Sequence, residues 1–367
     1  MVESASRNRS QISRVPGSPR GTARLAAICV IASVLVAGAV VARAPSARIA
    51  HDRGASQEQP AGAPGTAQGP AIRSESDVVH LDVLVTDQDG RVLKALKKEN
   101  FRVLDNGQPQ AVTNFAPTSA PITMVILMEY SGTAYNYFAY KAASWGSVFV
   151  NYLEPRDWIA LVTYDLKPSI RVDFTRNKAS IRDSLATLSF PQFRETNLFD
   201  SLLDTLDRLE EVKGKKSLLL IGTGANTFSA NSLGSVIDRI QRTDVTIFGV
   251  GLAESEYLRT HRGSITYLQA KNQLDTFADE TGGVTYFPRF EGELPDIFRS
   301  IAGFLRSQYS IGFAPSNLAA DGRYHKLKVE IVGPDGKPLQ VTNEKGKRRK
   351  LVVYARRGYF APSEPQR

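Results

Sequence analysis

Residues Ile122 to Met128 form a nearly unbroken apolar run, and Glu129-Tyr130-Ser131-Gly132-Thr133 follows at once. A short apolar run that ends in a polar loop reads as a strand buried on both faces, as in a parallel sheet covered by helices. The loop sets a carboxylate and two hydroxyls at alternate positions. In open α/β sheets, ligands bind just beyond the carboxyl ends of the strands. The loop is therefore where this chain is expected to act.

The pattern around the run supports that fold class. Trp158 to Tyr164, Leu218 to Ile221, Val245 to Val250 and Val284 to Phe287 are further apolar strands. Between them lie helical stretches at Tyr137 to Leu153, Lys178 to Leu188, Leu198 to Val212, Leu233 to Gln241, Asn272 to Glu280 and Leu294 to Arg306. Trp145 and Phe149 stand one helical turn apart and read as core residues. Strands alternating with helices predict a doubly wound, mostly parallel sheet over 121–306.

The flanks read differently. Val78 to Thr86 alternates apolar and polar residues, and Phe101 to Leu104 runs into Asp105-Asn106-Gly107, a hairpin signal. Ala111 to Phe115 is the expected returning strand. Beyond Arg306, strands are expected at Gln308 to Gly312, His325 to Val332 and Leu351 to Ala355. Short β segments are marginal alone. The regions 77–118 and 307–362 are therefore expected to pair into one small β-sandwich, with the α/β domain inserted between them.

The amino-terminal region has its own logic. Leu25 to Ala42 lacks charged residues and, at roughly 18 residues, is just long enough to cross a bilayer. The leader 1–24 carries five Arg against one Glu, which puts the amino terminus in the cytoplasm and the rest outside. The stretch is either a retained anchor, facing the periplasm or extracytoplasmic space, or a cleaved signal peptide with Val40-x-Ala42 as its site, leaving a secreted protein. Residues 43–76, rich in Ala, Gly, Pro, Gln and Ser, read as a disordered tether.

The net charge of +9 sits in the leader and in the basic segment Asn343 to Tyr359. It does not describe a nucleic-acid surface, and no aromatic-studded basic motif accompanies it. Lys345, Lys347, Arg348, Arg349 and Lys350 read either as a solvated hairpin loop or as a contact for anionic headgroups. The single cysteine, Cys29, lies in the apolar leader stretch, so the folded part has neither a disulfide nor a thiol nucleophile.

The order strand, hydroxyl loop, helices, Thr loop, strand and Gly loop resembles a von Willebrand factor A (VWA) domain. The likeness covers about Pro121 to Arg306. With "VTDQDGRVLKALKKENFRVLDNGQPQAVTNF" ahead of it and "QYSIGFAPSN" and "ARRGYFAP" behind, the chain resembles a bacterial group of VWA-related proteins with β flanks, over about Val78 to Pro362. In the family, a metal-ion-dependent adhesion site is built from Asp-x-Ser-x-Ser, a Thr and a further Asp. Here the resemblance places Glu129, Ser131, Thr133, Thr196 and Thr223 at those positions. Both aspartates are altered, while three hydroxyls persist. The formal charge of the site falls from −2 to −1, and Glu129 adds a methylene. Mg²⁺ asks for hard oxygens in near-octahedral order. Two alternatives follow: a Mg²⁺ or Mn²⁺ site with a changed ligand set, to which Glu195 could contribute, or no cofactor, with Glu129, Ser131 and Thr196 bracing loops and capping helices.

Other chemistries find less support. Gly222-Thr223-Gly224 imitates a dinucleotide fingerprint, but Thr227 holds the third Gly position and Asp244 precedes the next strand. Ser131 lacks a Gly-x-Ser-x-Gly elbow. Of the four His, only His261 lies in the α/β region, and no zinc spacing exists. The expected function is a non-enzymatic, membrane-tethered module that binds a protein or peptide through the loops at the carboxyl end of the sheet. Tyr130, Tyr135, Asn136, Asn226 and Phe228 are the expected contacts. The alternative is an envelope scaffold that uses its β-sandwich; an enzyme stands third.

Overall fold

The computed structural model describes residues 78–117, 120–132, 142–251, 265–316, 322–342 and 346–361. The apolar stretch Leu25 to Ala42, Cys29, the tether 43–76, Thr133, Tyr135, Asn136 and His261 lie outside the described residues. Among the described residues, no helix is long and apolar enough to cross a membrane.

Strand β5 (Ile122–Glu129) is buried along its whole length. It pairs in parallel with β6 (Trp158–Tyr164) on one side and β8 (Lys215–Gly222) on the other. The sheet continues through β9 (Thr246–Gly251) to β10 (Thr285–Tyr286), and ends at its other edge in β7 (Pro168–Thr175). Alternation along β5 sorts its side chains to two cores. Ile122, Met124, Ile126 and Met128 pack with α1 (Ala142–Asn151), α2 (Lys178–Ala186) and α6 (Leu294–Arg306), through residues such as Phe149, Leu185 and Phe298. Val125 and Leu127 face α3 (Leu198–Glu210), α4 (Leu233–Arg242) and α5 (Ile265–Thr281). Burial on both faces is why the run carries almost no polar residue. Each large side chain so buried contributes about 1.5–3 kcal/mol.

The flanks form two four-stranded antiparallel sheets. One has the order β15 (Leu351–Tyr354), β1 (Val79–Asp87), β11 (Tyr309–Phe313), β4 (Val112–Pro117). The other runs β16 (Gly358–Phe360), β12 (Tyr324–Ile331), β2 (Phe101–Asp105), β3 (Gln108–Gln110). Each sheet takes two strands from before the α/β unit and two from after it. Their facing sides share one core, in which Val83, Phe101, Val103, Ile311 and Phe313 are buried. Strand β1 serves two cores: Val83 and Val85 point into the sandwich, whereas Leu84 joins the core beneath α6.

The structure alters several local expectations. The hairpin closes at Asn106-Gly107 with φ of 47° and 83°, as a tight primed turn requires. Its returning strand is Gln108–Gln110, however, not Ala111 to Phe115. Residues 112–117 cross instead to the other sheet and pair with β11. Strand β7 was not expected, although Ile170, Val172 and Phe174 alternate with Arg171, Asp173 and Thr175; it opens on a Pro and is the antiparallel edge of an otherwise parallel sheet. Helix α5 begins at Ile265, well before Asn272. Short β16 and the two-residue pair β13 (Val341–Thr342) and β14 (Arg348–Arg349) fall below what periodicity can register. In the basic segment, Arg349 is taken up by Asp87 and Asp89, while Lys347, Arg348 and Lys350 are exposed.

Asp157, fully buried, ties the lower edge of the sheet together. It accepts from the backbone N–H of Ile122 at 3.0 Å and of Glu154 at 2.7 Å, and pairs with the guanidinium of Arg306. Removing it strands two backbone donors and leaves Arg306 with Glu154 as its remaining carboxylate. Asp157→Ala is expected to cost about 3 kcal/mol in urea unfolding. A loss below about 1 kcal/mol would contradict that role.

Candidate functional site

The connections after β5 and β8 leave in opposite senses, because β5 leads to β6 on one side and β8 leads to β9 on the other. Their carboxyl ends therefore border the switch-point crevice of the sheet. Glu129 is the last residue of β5, and Gly222 is the last of β8, with Thr223-Gly224 following. The crevice is the geometric centre of the expected site.

Glu129, Ser131, Thr196 and Thr223 are all brought to this end of the sheet, and all are almost completely buried. The Glu129 carboxylate is already engaged. Its Oε1 accepts from Ser131 Oγ at 2.6 Å. Its Oε2 accepts from the Thr223 N–H at 2.6 Å and from Thr223 Oγ1 at 2.8 Å. Gly222 makes this approach possible: a Cβ there would lie 2.6 Å from the Tyr164 hydroxyl and 2.9 Å from Glu129 Oε2. Burial pushes the Glu129 carboxyl above its ordinary range, against the hydrogen bonds from Ser131 and Thr223. Burial also pushes the Tyr164 hydroxyl well up, and the charge of Glu129 adds to the effect.

Thr196 belongs to a second, linked network. Its Oγ1 donates to the Ala225 carbonyl at 3.3 Å, and its own carbonyl accepts from the N–H groups of Thr227 and Phe228 at 2.9 and 3.0 Å. Asn226 Oδ1 accepts from the Leu198 N–H at 3.0 Å and so helps cap α3, alongside Asn197, whose Oδ1 accepts from Asp200 N–H. A third tie joins Gly132 N–H to the Phe193 carbonyl at 2.7 Å. The loops after β5, before α3 and after β8 are thus pinned to one another through backbone groups.

This arrangement does not fit a Mg²⁺ centre. Such an ion needs free anionic oxygens directed at one point. Among the described residues, the Glu129 carboxylate accepts internal donors on both oxygens, and Thr223 is itself a donor where a ligand would be required. Glu195 is exposed and accepts from Arg194 N–H at 3.1 Å. Among the described residues, no three His, Cys, Asp or Glu side chains gather as a metal set.

The expected contact residues divide. Phe228 is 57 % exposed and stands on the rim. Tyr130 does not: it is only 6 % exposed, because its ring turns down beneath Arg171, 5.8 Å away. Asn226 is half-buried, with its carbonyl oxygen committed to the helix cap. Sequence reasoning missed Phe193, 42 % exposed in the loop that holds Gly132, and Phe190, 78 % exposed just before it. The available signal was a pair of aromatics in a segment with no helical or strand periodicity.

The raised carboxyl of Glu129 has a measurable consequence. The folded chain holds a proton that the unfolded chain releases more readily. The contribution of this group to stability is therefore full below the ordinary carboxylate range and is lost as pH rises through the folded value. Wild-type stability relative to Glu129→Gln is expected to grow as pH falls from neutral into that range. A difference in melting temperature between the two that does not change with pH would overturn this.

The sequence matches no family model, and no curated protein matches it. Solved structures with a similar chain path include BatB from Bacteroides thetaiotaomicron, at 15% identity over 51% of this chain and 100% of that one, with a TM-score of 0.39. The vWF domain of the type V pili tip protein Mfa5 from Porphyromonas gingivalis is 15% identical over 51% and 95%, with a TM-score of 0.41. A von Willebrand factor type A protein from Catenulispora acidiphila is 12% identical over 80% and 76%, with a TM-score of 0.44. Likeness at this level carries no argument about ligands or partners. Sheet order, a switch-point crevice between β5 and β8, and hydroxyl-bearing loops at the strand ends define an open α/β unit set between two flanking antiparallel sheets.

Proposed function

We propose that this chain is a non-enzymatic binding module that takes a protein or peptide partner on the rim at the carboxyl end of its parallel sheet, without a metal ion. One observation carries the reading: the carboxylate and hydroxyls at the strand ends turn inward, while two phenylalanines of the neighbouring loops turn outward. Glu129, Ser131, Thr196 and Thr223 are buried and bonded to the protein itself, whereas Phe193 and Phe228 are exposed on loops pinned by backbone hydrogen bonds. A buried, saturated carboxylate is poorly placed to serve as acid, base or nucleophile. Aromatic side chains on a pre-organised backbone are what a binding surface uses, because little entropy is lost when they are covered. The charge bias of the leader supports a location outside the cytoplasm, with the domain held by a tether.

A photo-crosslinking residue at position 193 or 228 in producing cells is expected to capture a defined partner. Affinity of the full chain for that partner is then expected to fall about tenfold or more in the double variant Phe193→Ser, Phe228→Ser. A chelator is expected to leave it unchanged. Binding that survives the double variant would move the interface elsewhere. Binding lost with chelator and restored by Mg²⁺ would show that the rim works through a metal.

A further inference from the structure

At the opposite end of the parallel sheet, the amino ends of β8 and β9 meet strands β1 and β11 of the flanking sheet. A cavity of about 580 Å³ lies in this junction. Lys215, Lys216, Asp244, Asp82 and Arg356 all line it. Lys216 and Asp244 neutralise each other at 2.7 Å. The other two cations have only neutral acceptors among the described residues. Lys215 Nζ donates to the Leu305 carbonyl at 2.7 Å. Arg356 donates from Nε to the Gly358 carbonyl at 2.7 Å and from Nη2 to the Gln241 carbonyl at 3.0 Å.

We propose that this cleft binds a small oxyanion, a carboxylate or a phosphate group, between Lys215 and Arg356. An ammonium has three N–H donors and a guanidinium five. The bonds just described use one and two of them, which leaves charge-bearing donors on both side chains at the wall of a cavity. Hydrogen bonds from such donors to an oxyanion are about twice as strong as neutral ones. The junction of two structural units is also where small-molecule sites concentrate.

The electrostatics agree with the geometry. Burial pulls the Lys215 ammonium down to about 8, with the charge of Asp82 acting against it. Burial likewise lowers Arg356 and raises Asp82. Asp82 offsets part of the desolvation cost of Lys215 and Asp244 part of that of Arg356, and a bound anion would offset more of it. Asp82 shares the wall and opposes an anion, so it sets an upper limit on affinity. Because Asp82 lies on β1, Lys215 on β8 and Arg356 just after β15, an occupant would bridge the flanking sheet and the α/β unit.

Isothermal titration of the full chain with inorganic phosphate and, separately, with succinate at matched ionic strength tests the idea. At least one of the two is expected to bind saturably at a single site. Preference for one tells a phosphoryl from a carboxylate ligand. Lys215→Met and Arg356→Met are each expected to weaken binding about tenfold or more. Asp82→Asn is expected to tighten it several-fold, a gain that a poorly folded variant cannot mimic. No saturable binding of either anion would overturn the proposal, as would affinity that Lys215→Met leaves unchanged or that Asp82→Asn weakens.

Discussion

The carboxylate of Glu129 is the point on which the upper end of this molecule depends. It closes the central strand, lies out of reach of water, and is held by three donors from two loops. A buried charge is tolerated only when its hydrogen bonds are made. Any motion that separates the loops after β5 and β8 must therefore expose or orphan it. A short set of intramolecular bonds holds these loops together, and Gly222 leaves the space for it. The rim aromatics inherit their fixed positions from this closure.

The flanking sheets solve a different problem. Neither flank alone can bury an apolar face, and each sheet is completed only by strands from the other side of the α/β unit. The two ends of that unit must consequently come out side by side. Strand β1 shows the effect most directly, with successive residues buried alternately in the sandwich and beneath α6. The junction cavity, with its ionisable walls, is the place where this double packing leaves space.

Much of this architecture can be read in the chain. The run 122–128 announces a central parallel strand, and Asn106-Gly107 announces a hairpin, because burial on two faces and positive φ restrict composition severely. The destination of 112–117 could not be read, since which sheet a strand joins is a long-range matter. Strand β7 shows its alternation at Ile170, Val172 and Phe174, but it opens on a Pro and runs antiparallel at the edge of an otherwise parallel sheet, where strand-helix alternation gives no place for it. At the site, the residue types that reach the crevice were legible, but the direction in which they turn was not. Tyr130 reads as a loop aromatic, yet it is buried, and Asn226 reads as a contact, yet it caps a helix. Inward and outward differ by a backbone rotation, not by composition.

The entry of the chain into the fold has a mechanical side. Beyond Val79, β1 is held on one side by β11 through residues 79–83 and on the other by β15 through residues 84–87, both antiparallel. Tension arriving from the residues ahead of it is directed along the strand, so the cross-strand bonds are loaded together in shear and do not open one at a time. Both neighbours come from the far end of the sequence. A pull at the amino-terminal side is thus borne by strands that are made only after the whole α/β unit.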